Sequence, residues 1–221
     1  MSERITLKQI AITAISILCL VIAATLSMKL DANTVTLLLK EGGIIETASA
    51  AGYFICIGLL YFIGRVRSLK THWYLYIILL AMALRELDFD KRFTETGVLK
   101  SKFLVASDVS IFAKSVGLLI VLLVLTSVFT LVFKHAKSFF KDVIQYRAAA
   151  WMAGLSMAFV VLTKSIDGLA RKLAPLGIVV TENVNQVAAH FEEIFELAIP
   201  MTIMYSIYLY WRTKPSDITV P

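Results

Sequence analysis

His190, Glu192, Glu193 and Glu196 stand within seven residues at the head of an apolar run that continues from Leu197 to Trp211. On a helix, at about 100° per residue, the three glutamates fall within roughly a 100° sector, with His190 about 60° beyond Glu193. A helix needs about 20 residues to cross roughly 30 Å of hydrocarbon, and that length counted back from Trp211 reaches Glu192. The carboxylates therefore belong to the span. Ionisable groups at that depth are costly unless they face protein, water or an ion, so the stretch marks an intramembrane site.

Carboxylates with one imidazole suit a hard or borderline divalent cation such as Zn²⁺, Mn²⁺ or Fe²⁺. His190-x-x-Glu193 reverses the Glu-x-x-His order of di-metal bundles but keeps its three-residue spacing. The expected metal ligands are His190 and Glu193 together with Glu86 and Asp90 from another span. A metal there would activate water against a lipid head group, with Glu46 or Glu196 as general base and Arg85 holding the anion. Arg85, Lys164, Arg171 and Asp167 form the expected substrate-binding set; the three cations suit a phosphate and would repel a metal.

The leading expectation is a metal-assisted hydrolase or transferase acting on a lipid or other anionic head group. One alternative is a proton- or ion-coupled transporter, in which Glu46, Glu196, Asp167 and Lys164 form a relay beside a helix kinked at Pro200. Another is a non-catalytic structural or sensory subunit held by buried ion pairs. The chain has no Gly-x-Ser-x-Gly, His-Glu-x-x-His or P-loop motif.

The elements that must position these residues are membrane helices. Of 221 residues, 58% are hydrophobic and 17% charged, and the mean hydropathy is +0.78, far more apolar than a soluble domain. The reading is an all-α, polytopic membrane bundle of one domain, with about six transmembrane helices near 10–28, 44–64, 73–90, 111–133, 148–167 and 191–211, joined by short interfacial helices. Two of these boundaries rest on length. The uncharged run from Trp73 ends after 12 residues, at Leu84, about 18 Å of helix. To cross, that helix must continue through Arg85, Glu86, Asp88 and Asp90. Likewise the run from Ala148 meets Lys164 after 16 residues, and a helix continuing past it would carry Lys164, Asp167 or Gly168, and Arg171 on one face.

Short basic connectors, 65–72 and 134–147, are assigned to the cytoplasm. This predicts a bacterial inner (plasma) membrane protein with both termini inside. Of the 22 Lys and Arg, 11 fall on each side. Of the 16 acids, only Glu3, Asp142 and Asp217 are cytoplasmic, leaving 13 outside. That asymmetry argues against a full conduction path and puts the enzyme first. The net charge of +6 lies mostly in connectors flanking apolar runs, so it speaks for topology and against nucleic acid. Membrane lipid is the expected partner, and a homo-oligomer is a candidate assembly. Cys19 and Cys56 lie inside apolar runs, where a thiol acts as a small hydrophobe. They indicate neither a disulfide framework nor a zinc site.

Overall fold

The computed structural model describes residues 4–39, 42–89 and 110–212. They form an all-α membrane helical bundle. Asp90, residues 91–109 and the tail beyond Arg212 lie outside the described residues.

Helix α1 (Leu7–Ser27) starts at a capping box, in which Thr6 and Gln9 satisfy each other's backbone N–H groups. Helix α2 (Ala32–Leu39) is short. Asp31 precedes it and accepts from the Thr34 hydroxyl at 2.7 Å and the Thr34 N–H at 3.1 Å. These bonds hold the Asp31 carboxyl below its ordinary range. Helix α3 (Ile44–Thr71) and helix α4 (Trp73–Glu86) share His72 as C-cap and N-cap. Residues 65–71, expected as connector, thus complete α3. Helix α5 (Ile111–Ile144) runs 34 residues, about 51 Å at 1.5 Å each, and absorbs most of the second expected connector. Helix α6 (Ala148–Ile166) is followed by the short α7 (Leu169–Leu173) and a 3₁₀ turn, Ala174–Leu176. Helix α8 (Glu182–Arg212) is a single helix with Pro200 inside it.

Five helices among the described residues are long and apolar enough to cross a membrane: α1, α3, α5, α6 and α8. Helix α4 is not one of them. Its 14 residues make about 21 Å, and the expected continuation to Asp90 does not occur. Asp88 turns into the left-handed region at φ 46°. Its N–H reaches the Arg85 carbonyl at 3.0 Å, while that of Phe89 reaches Leu84 at 3.0 Å. This is a Schellman ending, built on an aspartate in place of the usual glycine. Helix α5 ends in the same way on Tyr146 at φ 56°, with Arg147 N–H on Asp142 O at 2.9 Å.

The main core lies where α3, α4, α6 and α8 meet, around Tyr53, Cys56, Leu79, Ala83, Phe159, Phe195 and Ile199. Between membrane helices close packing replaces the hydrophobic drive, so small residues line the seams. Ala24, Ala83, Ser49 and Ser127 are completely buried. Gly52 of α3 packs closely against Pro200 of α8, where a Cβ would lie 2.9 Å from the proline Cβ. The Cys56 thiol donates to the Pro200 carbonyl at 3.5 Å. A second cluster, Ala24, Leu39 and Ile194, seats α1 and α2 on α8. A third, Ala148, Met152 and Leu209, closes the far end of α6 on α8. That far end also holds the chain's start, through an antiparallel bridge between Arg4 and Arg147, and the Tyr74 hydroxyl 2.6 Å from His135 Nε2.

Candidate functional site

Helix α8 carries Glu196 one turn before Pro200, and since proline has no N–H to give, the Glu196 carbonyl loses its helical partner. Its side chain is 8% exposed. Two cations reach the same oxygen: Arg85, from the last turn of α4, places Nη2 2.5 Å from Glu196 Oε1, and Lys164, from the last turn of α6, places Nζ at 3.5 Å. Cations in the last turn of a helix are favoured by the partial negative charge there, and Arg85 and Lys164 both take that position. Glu86, the final residue of α4, is buried, with Oε1 3.8 Å from Arg85 Nη1. Lys164 also pairs with Asp167 at 3.3 Å. One carboxylate thus ties three helices together, with Glu86 and Asp167 as outer members.

The structure brings together Arg85, Glu86, Lys164, Asp167 and Glu196 of the expected site. It leaves Arg171 out. Helix α6 ends at Ile166, and the chain turns at Gly168 with φ 58°, so Lys164, Asp167 and Arg171 do not line one helix face. A Cβ on Gly168 would meet the Arg171 guanidinium at 2.8 Å, and Arg171 is exposed on α7. The sequence reading missed Lys172, whose ammonium donates to the Lys164 carbonyl and closes the end of α6.

His190 faces elsewhere. Its Nδ1 lies 2.9 Å from Ser27 Oγ, and the Ser27 hydroxyl already donates to the Ala24 carbonyl at 2.8 Å. The imidazole is therefore the donor, and this bond ties α8 to α1. Glu46 accepts from the Gly42 N–H in the turn before α3. Among the described residues no group of three or more His, Cys, Asp and Glu side chains is placed to hold a metal ion. The expected set of His190, Glu193 and Glu86 does not assemble, and Asp90 lies outside the described residues. Glu86 is drawn to Arg85, and His190 is committed to Ser27.

On α3, Ser49 and Tyr53 are completely buried, and neither hydroxyl has a hydrogen-bond partner among the described residues. The charges acting on the Tyr53 phenol are Glu86, Glu196 and Arg85. Glu46, Ser49, Tyr53 and Cys56 recur at spacings of three, four and three, which puts them on one helical face. That spacing is the signal by which the sequence could have given them. No protein-family model, curated protein or solved structure matches the chain.

Proposed function

We propose that this chain is a proton-linked membrane protein, a sensory or regulatory subunit whose α4, α6 and α8 are coupled through the charge of the Glu196 network. The observation that carries the reading is the surroundings of Glu193. Glu192 and Glu196 stand beside it on the same helix, while Arg85 and Lys164 are both bound to Glu196. Glu193 itself is half-buried and makes no ion pair among the described residues. Uncompensated charge among membrane helices costs far more than a proton does, so the surplus is balanced by a bound positive charge.

A proton fits with the buried Ser49 and Tyr53 hydroxyls of α3, which have no hydrogen-bond partner among the described residues. The acids lie at one end of the bundle, so protons enter and leave from that side. This favours protonation that shifts helix packing over conduction from face to face.

The test is the pH dependence of thermal unfolding. A folded state that holds protons its unfolded chain releases loses stability as pH rises. Wild type should do so through neutrality, and Glu193→Gln should flatten the slope. A slope unchanged by the substitution would count against the reading.

The same surplus supports a second reading, in which a divalent cation such as Zn²⁺, Mn²⁺ or Fe²⁺ balances the acids and a head-group hydrolase or transferase results. Stoichiometric metal in the purified protein, lost in Glu193→Gln, would select it.

A further inference from the structure

At the opposite end of the bundle, the first turns of α1 and the last turns of α8 enclose a cleft of about 220 Å³ lined by Lys8, Gln9, Ile12, Tyr205, Tyr208 and Arg212. We infer that this cleft binds the phosphate-bearing head group of an anionic membrane lipid. Three observations converge on it.

The first is unbalanced charge. Lys8 and Arg212 come from different helices, and among the described residues neither has an ion pair or hydrogen bond. Asp142, the acid described at this end, is taken by Arg147 at 3.2 Å. Lys134 spends part of its charge over the Tyr74 ring, 5.3 Å from its centroid. Among the described residues, Lys8 and Arg212 therefore face the cleft without a counter-ion.

The second is depth. Tyr208, Tyr210 and Trp211 are exposed on the last turn of α8, and aromatic residues of this kind settle at head-group level. A lipid phosphate lies at that level, where basic clefts between membrane helices recognise it.

The third is size and lining. The cleft is smaller than the roughly 300–1,000 Å³ of sites for drug-sized molecules, which suits a head group whose acyl chains run down the apolar surface outside. Tyr205 and Tyr208 stack with centroids 6.3 Å apart and form a wall with a hydroxyl rim. Thr6 and Gln9 are occupied with each other in the capping box, which leaves the two cations to receive the anion.

The experiment titrates the purified full-length chain with dioleoylphosphatidylglycerol, dioleoylphosphatidylcholine or inorganic phosphate and reads retained ligand by native mass spectrometry. Phosphatidylglycerol should be retained about tenfold better than phosphatidylcholine. Lys8→Gln/Arg212→Gln should abolish that preference, Lys8→Arg/Arg212→Lys should keep it, and Lys137→Gln/Lys141→Gln should leave it unchanged. If the Gln double variant does not fold, Lys8→Gln alone should lower the preference severalfold. Equal retention of the two lipids overturns the proposal, as does undiminished preference in the Gln variants. An equal loss in Lys137→Gln/Lys141→Gln makes the attraction diffuse and also overturns it. Inorganic phosphate bound as tightly as the lipid overturns the lipid assignment.

Discussion

The two ends of this bundle handle charge in opposite ways. Where α4 and α6 finish, cations and acids are drawn inward, and Glu196 receives Arg85 and Lys164 on one oxygen while nearly shielded from outside. At the other end, Lys8 and Arg212 stand at the surface without a described acidic partner, and inside the fold the Tyr74 hydroxyl meets His135. A buried network must be balanced by the protein or by something it binds. A surface cation can be balanced by the membrane. The acidic end is thus coupled to fold stability, whereas the basic end is free to respond to its surroundings.

Breaking the comparison at its strongest point should have the largest effect. Glu196→Gln removes the negative charge that the two cations share and leaves them facing each other, so unfolding stability in detergent should fall by about 3–5 kcal/mol. Replacing the group together, as Arg85→Met/Lys164→Met/Glu196→Leu, should recover most of that loss, because apolar packing often substitutes for a buried ion network. A triple variant as unstable as Glu196→Gln would mean that the loss comes from shape and not from charge.

Next in size is the seam beside the network. Gly52→Ala places a methyl 2.9 Å from the Pro200 Cβ, with little room to yield on either helix. A destabilisation of about 1–3 kcal/mol is expected from such overpacking, measured by the same unfolding assay.

At the basic end the effects should be smaller. Tyr74→Phe removes the 2.6 Å bond to His135 and should cost about 0.5–1.5 kcal/mol. A cost as large as that of Glu196→Gln would erase the difference between the ends.

The smallest effect concerns Asp31, whose carboxyl is held below its ordinary range by Thr34. A lowered value in the folded state gives stability that is present above the ordinary aspartate range and is lost as pH falls through the folded one. Protection of the α2 amides, corrected for the intrinsic pH dependence of exchange, should therefore fall on acidification below roughly pH 4, and Asp31→Ala should remove that dependence.

The apolar runs disclosed the bundle because lipid demands long uninterrupted helices, but they disclosed helix ends poorly. Residues 65–71 read as a connector from their charge, yet Lys and Arg are good helix formers and are welcome at a helix C-terminus, so α3 continues through them. The end of α4 was missed for the opposite reason. A Schellman turn is announced by glycine, and here Asp88 takes that place. Helix α4 therefore stops at Glu86, short of the length the span was expected to have, and Glu86 is buried by neighbouring helices. Arg85, Lys164 and Glu196 were legible because a charge inside an apolar run needs a partner. His190 was not, since its partner Ser27 lies 163 residues away in a helix that the sequence presents as uniformly apolar.

The most direct measurement is infrared spectroscopy of the metal-free protein in a membrane at neutral pH, with Glu193→Gln as reference. A proton held among the glutamates predicts the carbonyl stretch of a protonated carboxylic acid in wild type and its loss in the variant. A spectrum containing only ionised carboxylates would contradict the proposal that a proton balances the buried charge.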